Sequence, residues 1–109
     1  MCSVPQITVL DLARLKDEHA AFFLLDIREI HEVEVSHIKR AVHIPMALCL
    51  SRHNEIPRDA PVVVYCRTGA RSSAIVSALM TKYDFTNLHS LKGGMTEWSQ
   101  LIEPNLEVG

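Results

Sequence analysis

The chain has 109 residues, of which 48% are hydrophobic and 22% charged, and 11 Lys and Arg against 13 Asp and Glu give a net charge of −2. These values predict one domain over residues 1–109, loose only from about residue 104, and exclude intrinsic disorder. The sequence has no basic stripe for nucleic acid and no apolar run near the roughly 20 residues of a membrane helix, so neither partner is expected.

Cysteine usage favours a reducing compartment. The sequence has an odd number of cysteines, Cys2, Cys49 and Cys66, which lie far apart and form no C-x-x-C pair. This pattern predicts neither a disulfide framework nor a zinc site. The N-terminal residues also lack the basic and apolar regions of a secretory signal, so we expect a cytoplasmic protein.

Strand-like and helix-like segments alternate along the chain. The predicted elements are, in order, a strand at 7–9, a helix at 11–18, a strand at 22–25, a helix at 29–36, a strand at 41–44, a helix at 46–50, a strand at 62–65, a helix at 71–82, a strand at 87–91 and a helix around Trp98. Because this alternation needs parallel strands joined by crossovers, it predicts a three-layer α/β/α fold with a mainly parallel sheet of about five strands.

The segment from Cys66 to Ser72 joins the clearest strand to the clearest helix. Ligands of open α/β sheets bind beyond the carboxyl ends of the strands, where helix N-termini present unpaired N–H donors. Gly69 allows a tight turn, and Arg67 and Arg71 add positive charge. Such surroundings lower the pKa of a cysteine from about 8.5 and favour a nucleophilic thiolate over a structural thiol.

The length of this loop bears on the chemistry. Four residues separate Cys66 from Arg71, whereas five separate the cysteine and arginine of protein tyrosine and dual-specificity phosphatases. A shorter loop encloses a smaller ring of N–H donors, which suits one sulfur atom better than a phosphoryl group. Phosphatase or arsenate reductase activity therefore remains a weaker alternative.

Four sequence motifs, spread over nearly the whole chain, occur in the order that is typical of one protein family. They are Leu25-Asp26-Ile27-Arg28-Glu29, Ser36-His37-Ile38-Lys39-Arg40-Ala41 with Ile44-Pro45, Cys66 to Ser72, and Leu91-Lys92-Gly93-Gly94 with Trp98. In these motifs the sequence resembles the rhodaneses, which are sulfurtransferase domains.

The resemblance implies that Cys66 takes sulfur from a small anionic donor such as thiosulfate, becomes a persulfide, and passes the sulfur to cyanide or a thiol. It implies no metal and no organic cofactor. The backbone amides of the active-site loop would hold the sulfur, and its arginines would attract the donor. This loop consists of Arg67, Thr68, Gly69, Ala70, Arg71 and Ser72. Asp26 and Arg28 are expected to support this loop, Asp26 by pairing with Arg71.

Two alternatives to a small-molecule sulfurtransferase remain open. One is a sulfur relay that receives sulfur from a protein persulfide, and the other is a non-catalytic rhodanese-like binding module. Cys49 is expected to be a small buried hydrophobic residue, although a position near Cys66 would let it resolve a persulfide. The acidic residues Glu29, Glu32 and Glu34 are expected on a solvated helix face.

Three positions depart from the family pattern. Ser36, Arg40 and Asp84 stand where the family usually has glycine. Asp tolerates a left-handed backbone moderately well, but Arg does not, so we expect the turn at Arg40 to be rebuilt.

Overall fold

Five parallel strands form one sheet in the computed structural model, which describes residues 4–108. The strands are β1 (Gln6–Ile7), β2 (Phe23–Asp26), β3 (Val42–His43), β4 (Val62–Tyr65) and β5 (Leu88–Leu91). Their order across the sheet is β1-β5-β4-β2-β3, and every neighbouring pair is parallel. The predicted α/β fold is confirmed, with a sheet that is entirely rather than mainly parallel.

Helices connect the strands. They are α1 (Val9–Asp17), α2 (Ile30–Val35), α3 (Met46–Cys49), α4 (Ala70–Tyr83) and α5 (Gly94–Leu101), with a 3-10 turn at His53–Glu55. Within residues 4–108, none of these helices has the length and apolar character needed to cross a membrane.

The start of α1 differs from the prediction, which placed Val9 in the first strand. The Thr8 hydroxyl accepts a hydrogen bond from the Asp11 N–H, and the Asp11 carboxylate accepts one from the Thr8 N–H, each at 3.1 Å. This reciprocal capping box satisfies two N–H groups that a helix start leaves unpaired. The helix therefore begins at Val9, one residue after its cap.

The core lies on both faces of the sheet. Alternate strand residues point to opposite faces, so Val62 and Val64 pack with α4, and Val63 and Tyr65 pack with α1 and α5. All four residues of β4 are buried. This arrangement has helices on each face of the sheet and gives the three predicted layers.

The carboxyl ends of the strands meet at one edge of the sheet. Asp26 at the end of β2 is in register with Tyr65 at the end of β4, and β5 lies on the other side of β4. The residues that follow β2, β4 and β5 therefore emerge side by side, with Cys66 in the middle.

The segment after Pro104, which the sequence predicts to be loose, contacts the rest of the protein. Leu106 and Val108 pack against the core cluster under α1 and α5. The Ser36 hydroxyl donates a hydrogen bond to the Glu107 carbonyl.

The three glycine replacements have different backbones. Ser36 is extended, whereas Asp84 ends α4 in the left-handed region with φ of 58°. Arg40 also adopts a left-handed backbone with φ of 71°, in a turn where the Ala41 N–H donates to the Ile38 carbonyl. The expectation that Arg40 rebuilds this turn is therefore wrong, because Arg40 keeps the conformation that favours glycine.

We predict that Arg40→Gly raises the free energy of unfolding by about 0.5–1 kcal/mol, because relief of the left-handed strain exceeds the entropy cost of glycine. Urea unfolding measures the change. The matched control is Lys39→Gly, next to it in the same turn, where φ is not positive and glycine should be destabilising. A stability for Arg40→Gly at or below that of the unaltered protein would contradict the prediction.

Candidate active site

Residues 66–72, hereafter the cysteine loop, lead from the end of β4 into the first turn of α4. Gly69 caps α4 with a left-handed φ of 108°, which turns the chain back over the end of the strand. Cys66 and Ser72 are buried, whereas Arg67, Thr68 and Ala70 are exposed. The loop therefore encloses the thiol, and the side chains between its buried ends point largely to solvent.

The Cys66 thiol lies within hydrogen-bonding distance of several donors. Its Sγ accepts from the Gly69 N–H at 3.1 Å and from the Ser72 N–H at 3.4 Å, and it lies 3.7 Å from the Ser72 hydroxyl oxygen. Burial raises the pKa of Cys66, but the N–H groups of Ser72, Gly69 and Thr68 and the Ser72 hydroxyl outweigh it and leave the pKa below its ordinary value. The site thus favours a thiolate, as a nucleophile requires.

Arg71 does not pair with Asp26, so that expectation is wrong. Its two terminal nitrogens donate to the two Glu32 carboxylate oxygens at 2.8 and 2.9 Å. Glu32 is only 6% exposed, which corrects its predicted place on a solvated face. The Arg71 hydrogen bonds outweigh burial and, with the Glu29 N–H, lower the pKa of Glu32 to about 2.

Asp26 pairs instead with Arg28. The Arg28 guanidinium is fully buried and donates to both Asp26 carboxylate oxygens, with Nη2 to Oδ2 at 2.9 Å. The same Nη2 donates to the Ser36 carbonyl at 2.6 Å, and the guanidinium carbon lies 5.6 Å from the centroid of the Tyr65 ring. The pair therefore joins the ends of β2 and α2 beside the residue that precedes Cys66.

The start of α5 holds the cysteine loop from the other side. The Met95 N–H donates to the Cys66 carbonyl at 2.8 Å, and the Thr96 N–H donates to the Arg67 carbonyl at 2.9 Å. Gly94 permits this approach, because a Cβ there would lie 2.5 Å from the Cys66 carbonyl oxygen. The sequence marks Gly93-Gly94 only as part of a motif, and its contact with the loop is not visible from spacing.

Cys49 has the properties of a structural thiol. It is fully buried, and its Sγ donates to the Ile44 carbonyl at 3.4 Å. Burial raises the pKa of Cys49 to about 11, so it stays protonated near neutral pH. Cys2 lies outside the described residues. Within residues 4–108, no three His, Cys, Asp or Glu side chains cluster as metal ligands would.

We predict that Gly94→Ala slows iodoacetamide alkylation of Cys66 about tenfold, because the added Cβ displaces the Cys66 and Arg67 carbonyls and with them the N–H donors. Site-resolved peptide mass spectrometry measures the rate. Gly93→Ala is the matched control: its φ of 80° carries similar strain, but the three atoms nearest its added Cβ all belong to the Glu97 side chain. Equal alkylation rates in the two variants would contradict the proposed contact.

We predict that Glu32→Gln lowers the free energy of unfolding near neutral pH by about 1–3 kcal/mol, because it removes the charged acceptor of Arg71. The folded pKa of Glu32 is depressed, so its contribution is present above the ordinary value of 4.5 and is lost as the pH falls toward about 2. Urea unfolding across this window should show a smaller loss of stability in the variant. Glu34→Gln, on the exposed side of α2, should retain the acid dependence, and an equal profile for both variants would refute the assignment.

Comparisons with known proteins agree on one family. The family model of the rhodanese-like domain matches residues 8–101. A sulfurtransferase of Allochromatium vinosum is 39% identical over 77 residues, 71% of this chain and 71% of that protein. YqhL of Bacillus subtilis, named as uncharacterized, is 39% identical over 80 residues, 73% of this chain and 63% of YqhL.

This chain thus spans slightly less than two thirds of YqhL. Among solved structures, a rhodanese-related protein from Thermoplasma volcanium matches with a TM-score of 0.78 and 28% identity, covering 96% of this chain and 97% of that one. The end-to-end agreement in fold and the match of the family model lead to one conclusion: the chain belongs to the rhodanese-like domain family.

Proposed function

We propose that this protein is a sulfurtransferase that moves sulfane sulfur through a persulfide on Cys66. The observation that carries the proposal is that the Gly69 and Ser72 N–H groups both donate to the buried Cys66 Sγ, which favours a thiolate at the end of the central strand. The similarity to the Allochromatium vinosum sulfurtransferase supports the same reaction class.

The first half-reaction loads the cysteine. With thiosulfate as donor, the Cys66 thiolate attacks the outer sulfur, a bond forms between Sγ and that sulfur, and the sulfur–sulfur bond of thiosulfate breaks. The electron pair of the broken bond leaves with sulfite, so charge and atoms balance without a metal or an organic cofactor. The N–H donors of the cysteine loop would then share the charge of the persulfide.

The second half-reaction unloads the cysteine. A nucleophilic acceptor attacks the outer persulfide sulfur, and the electron pair of the Sγ–S bond returns to Cys66 as thiolate. Cyanide would yield thiocyanate, and a thiolate would yield a new persulfide. This cycle needs a free thiol, which fits the free Cys66 and a reducing compartment such as the cytoplasm.

The charges around the loop bear on the donor. Arg67 follows Cys66 in the chain and is exposed, so it is available to attract an anion such as thiosulfate. Arg71 is neutralised by Glu32, so the loop offers less net positive charge than its two arginines imply. This pairing favours a second candidate donor, a protein persulfide, in which case the same chemistry serves a sulfur relay.

Two further alternatives fit the site less well. A non-catalytic binding module has no need for a cysteine whose pKa is lowered by its own loop. A phosphatase needs room for a phosphoryl group, whereas Gly69 and Ser72 already direct their N–H groups onto one sulfur atom.

Intact mass spectrometry before and after incubation with thiosulfate tests the proposal. We expect a gain of one sulfur atom that cyanide removes, and we expect no gain in Cys66→Ser, which keeps the size of the side chain and should stay folded. Cys49→Ser is the matched control and should still load. Loading of Cys66→Ser would exclude Cys66 as the carrier. Failure of the unaltered protein to load from either thiosulfate or a persulfide donor would overturn the proposed function.

A further inference from the structure

Three serine hydroxyls form a hydrogen-bonded chain that ends beside Cys66. Ser72 Oγ lies 2.7 Å from Ser90 Oγ, and Ser90 Oγ lies 3.1 Å from Ser73 Oγ. Ser72 and Ser90 are fully buried, and Ser73 is partly exposed. Ser90 belongs to β5, so a neighbouring strand supplies a hydroxyl group to the cysteine loop.

Each serine hydroxyl has one proton to donate and two lone pairs to accept with. Ser72 Oγ has three neighbours that compete for its proton: the Gly69 carbonyl at 3.1 Å, Ser90 Oγ, and Cys66 Sγ at 3.7 Å. A Cys66 thiol can donate to Ser72 Oγ, which leaves the Ser72 proton on the Gly69 carbonyl. A Cys66 thiolate has no proton to donate, and the Ser72 hydroxyl stabilises it only by donating a hydrogen bond to it.

The partners of Ser90 set the direction of the chain. Within residues 4–108, the side-chain hydrogen bonds of Ser90 Oγ go to two groups, the hydroxyls of Ser72 and Ser73. If Ser73 donates to Ser90, then Ser90 has its own proton left for Ser72. Ser72 then accepts from Ser90 and keeps its proton free to turn from the Gly69 carbonyl to the sulfur.

We propose that Ser90 is a positioning residue: its hydroxyl donates to Ser72 Oγ and thereby leaves the Ser72 hydroxyl to donate to the Cys66 thiolate. Hydroxyls in such a series polarise one another, so the donor at the sulfur is strengthened by the two behind it. Without Ser90, the Ser72 hydroxyl loses the donor that polarises it, so its hydrogen bond to the sulfur is weaker and the buried thiolate loses part of its support. The importance of this role for activity rests on the proposed sulfur transfer through Cys66.

The test measures the thiolate directly and does not depend on sulfur transfer. Iodoacetamide alkylation of Cys66 as a function of pH reports the apparent pKa of the thiol, with Cys66 resolved by peptide mass spectrometry. We expect Ser90→Ala to raise that pKa and to slow alkylation near neutral pH by about threefold to tenfold. We expect Ser73→Ala to shift it in the same direction by less, because Ser90 retains its proton.

The matched control is Ser99→Ala, which removes another buried hydroxyl whose hydrogen bond goes to the Thr96 carbonyl on its own helix. Ser99→Ala should leave the pH profile unchanged, and urea unfolding of each variant separates a folding defect from a change at the thiol. A Ser90→Ala profile equal to that of Ser99→Ala would overturn the role of Ser90. Failure of sulfur loading in the unaltered protein would instead overturn the proposed function and leave this result intact.

Discussion

The site depends on one constraint, which is that a buried sulfur anion must be surrounded by hydrogen-bond donors. Cys66 is 1% exposed, so solvent cannot stabilise its charge, and the loop must do so. The Gly69 and Ser72 N–H groups point at Sγ only because the chain turns through a left-handed residue at Gly69. The thiolate and the backbone of the cysteine loop are therefore one structural unit.

Other parts of the fold keep this unit in place. The first turn of α5 donates to the carbonyls of Cys66 and Arg67, so the backbone N–H groups of one helix face the loop that begins another. Glu32 of α2 holds Arg71 of α4 through two hydrogen bonds. These contacts restrain both ends of the loop, and the second neutralises one of its two positive charges. Arg67 is thus the exposed guanidinium of the loop.

Much of the fold is predictable because its signals are local. Short apolar runs separated by helical segments predict the parallel sheet, and the position of Cys66 after the clearest strand predicts where the chemistry lies. The boundary at Val9 was wrong because the reciprocal cap of Thr8 and Asp11 competes with the β-branched run that favours a strand. The local sequence pattern therefore predicts the helices and strands and their order along the chain.

The partners of the charged residues are not predictable in the same way. Glu29, Glu32 and Glu34 have the same chemistry, and the contact that distinguishes the buried Glu32 is with Arg71, 39 residues away in the chain. Asp26 and Arg71 are both near strand ends, but Arg28 lies closer to Asp26 and is itself buried. Ser90 is an unremarkable strand residue in the sequence, and its link to Ser72 exists only through the neighbouring strand order.

The most direct measurement is the ultraviolet absorbance of the Cys66 thiolate as a function of pH, with Cys66→Ser as the blank for all other groups. The N–H donors of the loop predict a midpoint below that of an ordinary thiol. A midpoint at or above that value would mean that burial dominates and that the loop does not activate Cys66.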